Sequence, residues 1–215
     1  MKSEDAKKFT DYYRKKNVTR TYDNQREATS YRRKKRALEL RHFLDLIEKR
    51  EGEKVLELGC SSGFLTRYLG KVTAIDTSQG MLEVTRKKNP QATCIATDMF
   101  ELPFKNNSFD KVVTMRVWNH LDNKDLTKAI LESKRVLKNE GHLIFDVEDK
   151  SSLRRIASKI YKLFFRPTGY TIYQHSLNET RAILKKQGFE IEKVRFLNHK
   201  VGRQIILRAR AVDKK

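Results

Sequence analysis

Three acidic residues stand where short apolar runs end: Glu57, Asp76 and Asp98. Each run is rich in Val, Ile, Leu or Ala and reads as a buried strand. Between the first two lies a turn, Gly59-Cys60-Ser61-Ser62-Gly63, whose glycines let backbone approach a ligand without a Cβ in the way. Cys60 and Ser61 are small enough to fill such a turn. A dinucleotide site would use Gly-x-Gly-x-x-Gly, but this turn is Gly-x-x-x-Gly. Its neighbour Glu57 would repel a pyrophosphate, which disfavours a nicotinamide dehydrogenase. That carboxylate suits a ligand bearing an ammonium group. Asp76, 17 residues beyond Gly59, suits both hydroxyls of a ribose. Asp98 beside Met99 suits an adenine, one bonding its amino group and the other covering its ring.

Two more segments carry candidate chemistry. Arg116-Val-Trp-Asn-His-Leu121 follows the fourth apolar run and would face the reacting end of a ligand held by the first three. His120 is the candidate general base there. It also reads as a loop histidine capping the next helix. Upstream, Tyr22 and Asp23 precede Arg26, Tyr31 and Arg32 at helical spacing, so a tyrosine could cover the ligand and an arginine pair with a carboxylate. The two cysteines, Cys60 and Cys94, lack metal-ligand spacing and give neither a disulfide framework nor a zinc site. We expect no metal.

These residues need a scaffold that lines up strand ends. Strands are expected at 54–58, 72–76, 92–96, 111–115 and 142–147, alternating with helices at 64–69, 79–88 and 124–137. Such alternation makes βαβ units. Beyond 150, a basic helix is expected at 151–165 and another at 176–187. Strands at 189–197 and 204–209 follow, joined by a link short enough for a hairpin. Upstream, Ala37, Leu40, Phe43, Leu44 and Ile47 give a helix at about 27–48 one apolar face. Residues 1–24 read as a loosely held arm. We therefore expect a basic N-terminal arm and lid helix over 1–50. A catalytic domain over 51–215 would carry a basic, substrate-covering insertion at about 150–175.

The ordered motifs resemble the class I S-adenosylmethionine-dependent methyltransferases, particularly the small-molecule branch with the ubiquinone and menaquinone enzymes. They run Val55-Leu-Glu-Leu-Gly-Cys-Ser-Ser-Gly63, Ala74-Ile-Asp-Thr-Ser78 with Met81, and Ala96-Thr-Asp-Met99. Leu102-Pro-Phe104, Ser108-Phe-Asp-Lys-Val-Val113 and Arg135-Val-Leu-Lys with Gly141 follow. The resemblance implies an α/β fold of three αβα layers around a doubly wound seven-stranded sheet, mainly parallel with the last strand antiparallel. It implies S-adenosyl-L-methionine as cofactor, held by Glu57, Gly59, Asp76, Asp98 and Met99. Cys60, Ser61, Gly63, Thr77 and Met81 belong to the same motifs, and Arg116 and Tyr22 complete the expected contact set. Ser61 departs from the family, which commonly has glycine there.

Charge bears on the acceptor. The net formal charge is +20, held as +8 in residues 1–41, zero in 42–150 and +12 in 151–215. Basic ends around a neutral middle suit an anionic partner. The expected acceptor is a small or lipid-like molecule, with an anionic one included. RNA methylation through the basic ends is the alternative, and contact with a membrane surface is open through the apolar face of 151–166. A subunit of this fold without catalysis, binding nucleic acid or an enzyme partner, is the reading from another class. A cytoplasmic setting is the expectation, since no apolar run approaches the length that spans a bilayer.

Overall fold

A computed structural model describes residues 3–150, 171–199 and 202–212. The expected basic helix at 151–165, and most of the insertion, lie outside the described residues.

Three helices lead: α1 (Glu4–Arg14), α2 (Lys16–Glu27) and α3 (Ser30–Ile47). The alternating region follows as β1 (Val55–Leu58), α4 (Thr66–Leu69), β2 (Thr73–Asp76), α5 (Gln79–Lys88) and β3 (Thr93–Ala96). Then come β4 (Phe109–Val113), a 3-10 turn at Trp118–His120, α6 (Asn123–Val136) and β5 (Leu137–Asp149). The described chain closes with β6 (Gln174–His175), α7 (Leu177–Lys186), β7 (Phe189–His199) and β8 (Gly202–Ala211).

The main path across the sheet is β3-β2-β1-β4-β5-β8-β7, seven strands, with the short β6 added beside the end of β5. Strands β1 to β5 pair in parallel. The last strand, β8, runs antiparallel to both β5 and β7. The order reverses between β1 and β4, which puts the switch-point crevice beyond their carboxyl ends.

Alternation along the strands explains the layers. Leu56, Val112, Leu143, Phe145, Ile205 and Leu207 turn into one apolar cluster, with Trp118, Leu126, Ala129 and Ile130. Val55, Val113, Ile144 and Ile206 turn into the other, with Leu40, Phe43, Leu46 and Ile47 of α3. A sheet buried on both faces needs helices on both, and successive residues must face opposite sides.

The first 24 residues depart from the expected loose arm. Ser3 caps α1 by accepting from the Ala6 N–H at 3.2 Å, and Ala6 is buried in the first cluster with Phe9 packed against it. The apolar spacing of α1 is helical, but two of its four members are tyrosines and, Thr10 apart, the rest of the segment is charged. Further ties hold these helices. The Ser3 N–H donates to Asp125 Oδ2 at 2.9 Å, and Arg14 Nε donates to the Thr77 carbonyl at 3.2 Å. Helices α1 and α2 thus form a strap reaching from α6 to the turn after β2.

Candidate active site

The glycine turn is fixed by three residues in the left-handed region: Gly59 at φ +68°, Ser61 at +54° and Gly63 at +79°. A Cβ on Gly59 would come within 2.6 Å of a Val117 methyl, and one on Gly63 within 2.3 Å of the Asn89 amide. Both glycines are therefore required by packing as well as by backbone conformation. Ser61 holds a backbone conformation that glycine adopts without steric cost.

Two carboxylates lie at the ends of β1 and β2, the sheet's adjacent parallel strands. Glu57 is buried, and its Oε2 accepts from the Thr66 hydroxyl at 2.7 Å. Burial, with the nearby charge of Asp76 adding, pushes its carboxyl up to about 8. Asp76 accepts from the Ser61 N–H at 2.9 Å and the Ser78 N–H at 2.8 Å. Burial raises it above the ordinary range, against those two bonds and the charge of Arg14. Among the described residues neither carboxylate bonds a cationic side chain. The donor set therefore fits a ligand that brings its own positive charge and its own hydroxyl donors, and an aminoacyl nucleoside sulfonium brings both.

Around this pair the structure gathers most of the expected residues. Met81 is buried, its sulfur 3.8 Å from the Ser61 hydroxyl. The Thr77 carbonyl is taken by Arg14. Cys60 is buried behind the turn, where burial raises its thiol, so it packs and does not react. At the end of β3, the Thr97 N–H donates to the Asp76 carbonyl at 3.2 Å, which brings Asp98 and Met99 alongside. Asp98 there accepts from the Phe100 N–H at 3.2 Å, and Met99 packs on the first apolar cluster.

The strap closes over this group. Phe9 stacks on His120 with centroids 4.0 Å apart, and Tyr13 meets Phe9 at 4.9 Å and Tyr22 at 5.9 Å. Arg26 lies over the Tyr22 ring at 5.0 Å. Next to Tyr22, Asp23 accepts from the Ser62 hydroxyl at 2.7 Å and pairs with Lys88 and Arg36. Its burial works against ionisation, but the bonds from Lys88 and Ser62 hold its pKa below the usual range. This latch is not legible in the sequence, although Asp23 adjoins Tyr22. Nothing local marks a bond 39 residues away.

His120 is buried, and Nδ1 faces the Thr171 carbonyl at 3.3 Å. Burial drives its pKa down to about 3, with Arg116 and Arg26 adding in the same direction. The ring is therefore neutral at pH 7. Arg116 sits at φ +60° just past β4. Its N–H donates to Asp146 Oδ1 at 2.6 Å and its Nη1 to Glu39 Oε1 at 2.7 Å. Glu39 and Asp146, from α3 and β5, carry no local signal of this role either. Each looks like an ordinary charge until the fold buries it. Among the described residues no cluster of three or more His, Cys, Asp or Glu is placed to hold a metal.

Residues 56–145 match the family model described as "Methyltransferase domain". This chain carries a methyltransferase domain. Domains of this kind use S-adenosylmethionine, and the site fits it. A demethylmenaquinone methyltransferase of Thermotoga maritima is 28% identical over 132 residues, covering 59% of this chain and 57% of that protein. An uncharacterized protein of Methanocaldococcus jannaschii is 28% identical over 169 residues, covering 68% and 66%. The match thus spans less than two thirds of either relative. Among solved structures, magnesium protoporphyrin IX methyltransferase from Synechocystis, holding S-adenosylhomocysteine, superposes on this methyltransferase fold with TM-score 0.77. The identity is 19%, over 97% of this chain and 100% of that one, so the likeness is one of fold.

Proposed function

We propose that this chain transfers a methyl group from S-adenosylmethionine to a small or lipid-like acceptor. The observation that carries the reading is the pair of desolvated carboxylates, Glu57 and Asp76, at the ends of adjacent parallel strands beneath the strap. When bound, the sulfonium supplies an electrophilic methyl group. The chain's part is alignment and exclusion of water. Glu57 takes the ammonium, Asp76 the ribose hydroxyls, and Asp98 with Met99 the adenine. Tyr22 and Phe9 close the site from above.

The acceptor side is built from rings. Phe9, Tyr13, Tyr22 and His120 form a ladder of faces and edges that favours a flat, largely apolar acceptor over a hydrophilic one. The relative acting on a menaquinone precursor and the fold neighbour acting on a porphyrin support this class. His120, stacked on Phe9, is the candidate base on this side. With a pKa of about 3 it is a feeble resting base, so this role suits an acceptor that is already ionised or easily deprotonated.

Titration calorimetry with S-adenosylhomocysteine tests the reading. Binding should be measurable, and Asp76→Ala should weaken it by about tenfold or more, since two ribose bonds to a charged group go together. Failure of the wild-type chain to bind would end the proposal.

A further inference from the structure

The segment that follows β4 gives His120 a fixed place. Val117 fills the space that a Gly59 Cβ would need, so the segment lies directly against the cofactor turn. Arg116, just before it, gives its N–H to Asp146, and the other oxygen of Asp146 accepts from Gln204 Nε2 at 2.6 Å. His120 closes the segment as the last residue of the 3-10 turn. One face of its ring is covered by Phe9, with centroids 4.0 Å apart and planes 22° from parallel. That is the offset stacking any flat aromatic ring adopts, whether it comes from the chain or from a ligand.

The cover is held more lightly than what it covers. Phe9 belongs to α1, 11 residues long, in which Ala6 is the buried residue and Phe9 itself is half-buried. A helix of that length is marginal by itself, so its place depends on its ties. The Ser3 N–H goes to Asp125 at 2.9 Å, the Tyr173 hydroxyl to Asp5, and the Phe9 ring to His120. Tyr173 in turn gives its N–H to the Asn119 carbonyl at 2.8 Å, so these ties gather around the segment after β4 and the start of α6. The rest of the strap is held elsewhere. Arg14 binds the turn after β2, and Asp23 binds the cofactor turn through Ser62. Between the two parts Lys15 is extended, at φ −69° and ψ 130°, and the helix axis breaks there.

We propose that Phe9 occupies the seat of the acceptor's ring, and that a flat aromatic acceptor displaces it by turning α1 outward about Lys15 while α2 stays over the cofactor. The inference rests on the methyltransferase reading and narrows its acceptor to one with a planar ring to lay on His120. A saturated ring or a linear chain has no such face and gains little by replacing Phe9. The two halves of the strap then have separate duties. Helix α2 keeps the cofactor in place through Asp23, and α1 opens and closes as acceptors exchange.

The probe is 2-naphthol, flat and bearing an ionisable hydroxyl, and its decahydro form is the non-planar control. Calorimetry on the S-adenosylhomocysteine complex should find that F9A binds 2-naphthol about three- to tenfold more tightly than wild type, since no fraction of the variant is held covered. Y173F frees Asp5 and leaves the seat intact, so it should tighten binding by a smaller factor. Neither variant should gain for the decahydro compound. In wild type, 2-naphthol should quicken hydrogen exchange across α1 and leave α2 unchanged. A Phe9 that serves packing alone predicts the opposite sign, so unchanged or weaker 2-naphthol binding by F9A would overturn the proposal. Equal gains for both compounds would mark a mere void and overturn it too, as would slower exchange in α1, the sign of a lid that closes on its ligand. If F9A no longer holds S-adenosylhomocysteine, Y173F decides by the same criteria. If wild type fails to bind S-adenosylhomocysteine, the methyltransferase reading falls; if it binds and 2-naphthol behaves otherwise than stated, the seat alone falls.

Discussion

Glu57 is the residue where stability and binding pull in opposite directions. In the free protein its carboxyl sits at about 8, whereas an exposed glutamate titrates near 4.5. Between those values the folded chain holds a proton that the unfolded chain has released. Its contribution to stability is thus complete below pH 4.5 and is lost as pH rises through 8. The slope in that window is up to about 1.4 kcal/mol per pH unit. Glu57→Gln removes this slope. Urea unfolding of the free protein at about pH 8 should find the variant more stable than wild type, with the gap closing toward about pH 5. The same variant should bind S-adenosylhomocysteine about tenfold more weakly, having lost the charge opposite the ammonium. Titrations of wild type near neutral pH in buffers of different ionisation enthalpy should show proton release on binding. Identical pH–stability curves for the two proteins would remove the argument.

Ser61 makes a second case at this scale. It holds φ +54° without being glycine, and its N–H serves Asp76. Relief of the left-handed penalty, about 1–2 kcal/mol, should exceed the flexibility that Ser61→Gly adds to the unfolded chain. A net gain of about 1 kcal/mol in a chain of this size raises Tm by about 2–4 °C. Among the described residues the hydroxyl meets the Met81 sulfur at 3.8 Å, a weak partner, so little opposes the gain. A lower Tm in calorimetric melting would mean that the hydroxyl matters more than the backbone.

At the scale of elements, the strap of α1 and α2 decides access. Its far end is tied by Ser3 to Asp125 and by the Tyr173 hydroxyl to Asp5, its near end by Arg14 to Thr77 and Asp23 to Ser62. Asp23→Ala removes a latch that touches the cofactor turn but none of the core. Stopped-flow dissociation of S-adenosylhomocysteine should speed up several-fold, and hydrogen exchange should quicken across α2, with Tm nearly unchanged. An unchanged dissociation rate would show that the strap does not gate the site. The strap also marks the limit of what the sequence declares. Strands β1, β2, β4 and β5 and helix α5 are legible there because each buries a continuous or periodic apolar run, whereas β3, at the sheet's edge, is only half-buried at Cys94 and Ile95 and is marked by its short apolar run alone. Residues 1–24 bury mainly Ala6, Val18 and aromatic faces, and their order comes from bonds to residues as distant as Asp125. The turn and its carboxylates are legible because motif and strand end coincide in a few residues. Asp23, Glu39, Asp146 and Gln204 are not, because their roles exist only once α2, α3, β5 and β8 meet. Strand β6 has two residues and no periodicity to show.

Over the whole molecule, the charge excess is less uniform than the sequence suggests. At the lower end of β7 and β8, Lys193, Arg208 and Arg210 are matched by Glu48, Glu140, Glu190 and Glu192. That part of the basic C-terminal third is neutralised where it stands. The exposed cations of α3 are different. Arg33, Lys34 and Arg41 are exposed, and among the described residues no carboxylate pairs with them. This stripe should give the protein a weak, sequence-independent attraction to polyanions, governed by counterion release. Binding to bulk tRNA, followed by fluorescence anisotropy, should fall with a linear log–log dependence on salt. Replacing Arg33, Lys34 and Arg41 with glutamine should reduce the slope by roughly 0.7–0.9 for each phosphate no longer neutralised. S-adenosylhomocysteine binding, set by buried groups, should be much less sensitive to salt in both proteins. A slope unchanged by the triple replacement would move the attraction away from α3. Binding that persists at high salt would point to specific RNA recognition, and so favour a nucleic-acid acceptor over the small one proposed.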